Sequence, residues 1–227
     1  MHGCARNSDP SVLVTYYMTD NPTNKHVLAT AHIISDLFSP LLAPTYATAI
    51  ALWFTMLRYL PLNVKLWALG GILFITAITP ALVIFILIRM GKVSNASISD
   101  KSQRTIPYCA AIVCYLGAGY FMHSMQAPGW LTAFFYGAAA TSTLSLLITK
   151  WWKISAHTAG IAGVAAACYW LAFHNLIAAP MLWLTVTIAL TGAMAWSRLY
   201  LHHHTPAQVM AGALLSFIIE FLALTFL

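Results

Sequence analysis

Apolar stretches of about twenty residues or more recur along most of this chain, and a helix of that length crosses a bilayer. Backbone inside hydrocarbon finds no water, so such stretches must close their hydrogen bonds internally as helices. Seven runs stand out, about 41–60, 64–90, 105–123, 128–149, 156–173, 177–200 and 205–227. The expected fold is all-α, a polytopic transmembrane helical bundle. It has six or seven spans depending on the first run, whose start is bracketed by Pro40 and Pro44. Only 7% of the residues are charged, against roughly 25% in soluble domains, and the length of the runs excludes a β-barrel as well.

Residues 25–38, "KHVLATAHIISDLF", read as an amphipathic helix lying in the membrane interface. The first 24 residues are polar, with no cleavable signal peptide before them. The expected organisation is a polar N-terminus with an interfacial helix over 1–40 and one transmembrane domain over 41–227, without an internal repeat. Of the four cysteines, Cys109, Cys114 and Cys168 fall inside spans and none forms a CxxC pair, so they read as small packing residues. The net charge of +6 favours anionic partners, which for a membrane chain means lipid headgroups and not nucleic acid.

The polar residues are unevenly spread. With seven crossings, one membrane face collects Arg89, Lys92, Lys101, Arg104, Lys150, Lys153 and Arg198, together with His157 and His202 to His204. The other face keeps Arg58 and Lys65. The positive-inside rule accounts for Lys92, Lys150 and Lys153 as topology signals and would put this face in the cytoplasm. It does not account for Arg198, which closes an otherwise apolar helix between "MAWS" and "LYL". An ionisable residue at that depth marks function.

Three clusters lie on this face. In "SRLYLHHHTPAQ", Thr205, Pro206 and Gln208 form a helix start with a capping box, and His204 stands just before it. Helix N-termini favour anions, and Gln208 lies one turn beyond His204, within reach of its ring. In "KWWKISAHTAG", Ser155 caps the next helix and His157 sits in its first turn, beside two tryptophans suited to an interface. In "DKSQRTIP", Asp100 and Gln103 form a capping pair that leaves Lys101 and Arg104 to face an anion. Arginine presents a planar fork matched to phosphate oxygens, while one histidine can attack phosphorus and another protonate the leaving oxygen.

These residues resemble the type 2 phosphatidic acid phosphatase superfamily, whose third motif is Ser-Arg, five residues, His, three residues and Asp. Here Ser197-Arg198, five residues, His204, three residues and Gln208 follow that pattern, with glutamine in place of aspartate. "ISAH", Ile154 to His157, is similar to the second motif, Pro-Ser-Gly-His; Arg104-Thr-Ile-Pro107 echoes the first, Lys, six residues, Arg-Pro, with Ser97 where the lysine belongs. The resemblance covers about residues 100–210 and makes 41–227 a phosphatase-like domain. It implies a lipid phosphate or diphosphate phosphatase acting on phosphatidic acid, phosphatidylglycerol phosphate or a polyprenyl diphosphate. His204 would be the nucleophile, His157 the general acid and Gln208 the partner of His204; Lys101, Arg104, Ser155 and Arg198 would bind substrate. No metal or cofactor is implied, and the partners are a phosphorylated lipid and the surrounding membrane. The expected location is a bacterial inner membrane, with the side of the site open.

Two other classes compete. Gln208 for aspartate favours a catalytically impaired relative that binds lipid phosphate or a protein partner. A haem or quinone protein would use His123, His157 or His174, but these lie near different span ends.

Overall fold

A computed structural model describes residues 22–91 and 104–227; Lys92, Lys101 and the Asp100–Gln103 pair fall outside them. Among the described residues the chain forms eight helices and no strand. They are α1 (Pro22–Leu37), α2 (Ala43–Phe54), α3 (Leu62–Arg89), α4 (Thr105–Ser124), α5 (Gly129–Thr149), α6 (Ala156–Phe173), α7 (Pro180–Tyr200) and α8 (Pro206–Phe226). Six of these, α3 to α8, are long and apolar enough to cross a membrane.

The first of the seven expected runs is therefore corrected. Its helix, α2, has 12 residues, which at 1.5 Å each is about 18 Å, well short of the hydrocarbon layer. The helix stops at Thr55, which is extended (φ −112°, ψ −167°) and whose hydroxyl oxygen accepts the Leu57 N–H, starting a short 3₁₀ turn over Met56–Tyr59. A hydropathy run counts apolar residues and does not see this break.

Local signals explain the other boundaries. Proline opens α7 and α8, where a missing N–H costs nothing. Helix α3 contains a π-turn, Phe74–Ile78, that ends two residues before Pro80. Proline lacks an N–H for the carbonyl four residues back and its ring collides with that turn, so the wider turn relieves the crowding. Helix α6 is the most enclosed span, 61% buried. Its "GIAGVAAAC" stretch lets neighbouring backbones close in, as small residues do between membrane helices. An apolar core of α2, α3, α4, α5, α6 and α8 side chains, including Leu52, Ile72, Met122, Phe135, Val164 and Leu224, fills the bundle.

Helix α1 packs along α7 through Ser197, whose hydroxyl donates to the Ala31 carbonyl at 2.7 Å. The first helix is thus clamped to the end of the fifth span. Trp151 and Trp152 are exposed just past α5, as interfacial tryptophans are.

Candidate active site

Arg104 at the start of α4, the loop between α5 and α6 and the loop between α7 and α8 meet at one end of the bundle. Two backbone-scale contacts lock the last two together. The Ser155 N–H donates to the Gln208 carbonyl at 3.3 Å, and the Thr158 hydroxyl donates to the Val209 carbonyl at 3.2 Å. The approach is possible because residue 212 is glycine: a Cβ there would lie 2.5 Å from the Ser155 carbonyl oxygen. The starts of α6 and α8 are therefore fastened side by side, and both helix N-termini, with their partial positive charge, open toward the same space.

The three consecutive histidines do three different things. Helix α7 ends in a Schellman motif, with the His203 N–H on the Arg198 carbonyl (3.2 Å) and the His202 N–H on the Leu199 carbonyl (2.9 Å). His202 takes the left-handed position (φ 51°), where histidine is enriched among non-glycine residues, and its side chain is exposed. His203 turns inward: its Nδ1 lies 3.1 Å from Nη2 of Arg198. Arginine only donates, so this nitrogen accepts and the ring is neutral at that position. His204 is buried, and its Nδ1 lies 3.1 Å from Oε1 of Gln208.

The same Oε1 accepts the Thr205 N–H at 3.2 Å, while the Thr205 hydroxyl caps the Gln208 N–H, completing the capping box. Because the Thr205 amide can only donate, the Gln208 oxygen must face it, and His204 must carry its proton on Nδ1. The lone pair of His204 is then on Nε2.

Arg198, 4% exposed, donates from Nη1 to the Ser35 hydroxyl of α1 at 2.7 Å. Its Nε is buried with no hydrogen-bond partner among the described residues. A buried guanidinium N–H left without an acceptor is costly, and an anion would supply one. Arg104 donates from Nη1 to the Ile154 carbonyl at 3.2 Å, and Lys153 donates to the His203 carbonyl at 2.8 Å.

A cavity of about 490 Å³ lies beneath these loops, and Arg104, His157, Arg198 and His204 all line it, with Ser35 and Asp36 on the α1 side. That volume is within the usual range for small-ligand sites. Of the other expected site residues, Ser155 is fully buried as the cap of α6 and Gln208 stands behind His204; neither is on the cavity wall. Lys101 lies outside the described residues. His123 and His174 sit at the opposite helix ends from His157. Ser35, Asp36 and the link from His203 to Arg198 were not anticipated; the only trace in the sequence is a serine and an acidic residue within the apolar "IISDLF".

Charge on these loops is strongly one-signed. Burial, then Lys153, Arg198 and Arg104, push the pKa of His204 down to about 3, opposed by the Gln208 hydrogen bond. Burial, then Arg198 and Lys153, also lower that of His203. Burial, then Arg104 and Arg198, lower that of Lys153. His203 and His204 are held neutral first by burial, which strips water from the charged form, and then by the nearby cations, which repel a further proton.

No curated protein and no solved structure matches the chain. A comparison with known protein families matches residues 110–227 to the PAP2 superfamily, a stretch that takes in His157, Arg198, His204 and Gln208 and begins after Arg104. That family points to phosphatase chemistry on lipid-like phosphates, which accords with a cationic cavity among apolar helices. With just over half its length matched and six helices fit to cross a membrane, the chain is an integral membrane protein belonging to the PAP2 superfamily.

Proposed function

We propose that the protein is a metal-independent membrane lipid phosphate or diphosphate phosphatase that works through a phosphohistidine on His204. The observation that carries this reading is the His204 tautomer. Nδ1–H is spent on Gln208 and Nε2 keeps its lone pair, on a ring that lines a cavity shared with two guanidinium groups. In the proposed reaction Nε2 attacks phosphorus and the bond from phosphorus to the leaving oxygen breaks. Neutral His157 relays to that oxygen the proton that the bound phosphate monoanion carries. It then takes a proton from water as the water oxygen displaces His204, and hands it to the departing phosphate, restoring both rings.

Arg198 and Arg104 would hold the phosphoryl oxygens, and Lys101 is proposed as a further substrate-binding cation on the strength of the sequence pattern. Ser155 would act indirectly, by fixing the start of α6 and so the position of His157. The substrate class is phosphatidic acid, phosphatidylglycerol phosphate or a polyprenyl diphosphate.

Gln208 favours a second reading, an impaired relative that binds lipid phosphate, because an amide orients His204 without offsetting its positive charge in the intermediate. One measurement separates the two. Purified protein in detergent, given a panel of these lipids, should release phosphate, and His204→Ala should abolish release. Unchanged turnover in that variant removes the mechanism, and a wild-type protein that binds but does not turn over leaves the second reading.

A further inference from the structure

The cavity does not end at the cationic loops. Its wall continues inward to Ser216 and Glu220 of α8, where a carboxyl stands deep in the bundle. Fourteen residues into α8 at 1.5 Å each, less the backward lean of a helical side chain, put it about 15 Å below the loops, near the middle of a bilayer. Glu220 is 2% exposed, and its Oε2 has no hydrogen-bond partner among the described residues. A carboxyl at such depth is expensive to maintain and marks function.

The seat is built for it. Gly137 of α5 and Gly163 of α6 face the side chain; a Cβ on Gly137 would collide with Oε2, and one on Gly163 would lie 3.2 Å from the Glu220 Cγ and 2.9 Å from the Ser216 hydroxyl. Two helices are thus hollowed around one polar group that bonds to neither.

We propose that Glu220, with Ser216, forms a second subsite of the substrate cavity that takes an uncharged hydrogen-bond donor, a hydroxyl or amide N–H, carried midway along the lipid's apolar part. In either protonation state a carboxyl keeps an acceptor oxygen, which a hydroxyl or amide N–H on the ligand can meet. An ammonium donor would have to be desolvated in the membrane core, which costs far more than a hydroxyl. The subsite rests on the phosphatase reading in one respect, that the cavity is where the lipid lies.

The test uses the full chain in detergent and two phosphatidic acids that differ by one hydroxyl midway along an acyl chain. The ratio of their kcat/KM values should favour the hydroxylated lipid by roughly tenfold, the scale of one hydrogen bond to a buried acceptor. Glu220→Leu should bring the ratio to one and Glu220→Gln should keep it. Should Glu220→Leu not fold, Gly137→Ala, which displaces the carboxyl, takes its place. Affinities of both lipids for His204→Ala protein are read separately. No turnover of any lipid would sink the phosphatase reading alone, whereas equal affinities there, or a preference that survives Glu220→Leu, would overturn the subsite.

Discussion

One side-chain oxygen of Gln208 serves both the Thr205 backbone amide and Nδ1 of His204, so the capping box of α8 also sets which nitrogen of His204 is bare. Glutamine thereby does the orienting half of what a carboxylate would do and omits the charge-balancing half. Gln208→Ala should lower kcat by roughly a hundredfold to ten-thousandfold with little change in KM, the scale seen when a catalytic histidine loses its correct tautomer. Gln208→Glu keeps the reach and adds the charge, so its kcat should equal or exceed the wild type. Steady-state phosphate release checks both, and an unaffected Gln208→Ala would show that the bond is structural only.

The pH behaviour of His204 follows from its surroundings. An ordinary imidazole loses its neutral form as pH falls through about 6.5, but in the folded protein this ring holds out to about 3. Between those values the unfolded chain binds the extra proton. The stability contributed by this group is therefore fully present above the unfolded value and is lost as pH falls toward the folded one. Carbethoxylation of His204, followed by mass spectrometry, should proceed at a rate that does not drop between about pH 7.5 and 5.5, the range in which a free imidazole slows sharply. A rate that tracks free imidazole would contradict the burial and charge argument.

Arg198 is held from two sides, by Ser35 at 2.7 Å and by His203 at 3.1 Å. Arg198→Lys retains the charge but cannot fill both contacts and still present an N–H to an anion, so KM for a phosphorylated lipid should rise tenfold or more. Ser35→Ala, which loosens one side only, should raise KM a few-fold and leave kcat nearly unchanged. Equal KM values in all three proteins would remove Arg198 from substrate binding.

At Gly212 the backbone of α8 lies against the start of α6, with no room for a Cβ. A methyl group there presses on the Ser155 carbonyl and must push the two helices apart. Overpacking of this kind costs about 1–3 kcal/mol. Gly212→Ala should lower the thermal midpoint in detergent and, by separating His157 from His204, depress kcat more than the stability loss accounts for. A variant with normal turnover and an unshifted midpoint would mean the helices have slack there.

The parts of this molecule that the sequence revealed are those written in short-range spacing. The interval from Ser197-Arg198 to His204 and Gln208 sits on one helix end and the next helix start, where cap chemistry obeys local rules. Six of the seven apolar runs likewise became full spans, because a bilayer reads hydropathy directly. What stayed hidden depends on distance along the chain. Ser35 is 163 residues from Arg198, and no local pattern pairs them. In the sequence Glu220 is one charge in a long apolar run, and the glycines that make room for it, Gly137 and Gly163, lie on two other helices. The break at Thr55 turns on a hydroxyl and one backbone angle, neither of which enters a hydropathy count.

The grip of α1 on α7 bears on when the protein becomes competent. Arg198 acquires its Ser35 contact only after the ribosome has delivered the fifth span, and His204 acquires Gln208 only once the sixth has begun. A nascent chain, however much of it is already threaded into the bilayer, therefore has no working centre. On the proposed reading, biogenesis itself acts as the safety catch, because lipid chemistry must wait for the last helix to dock.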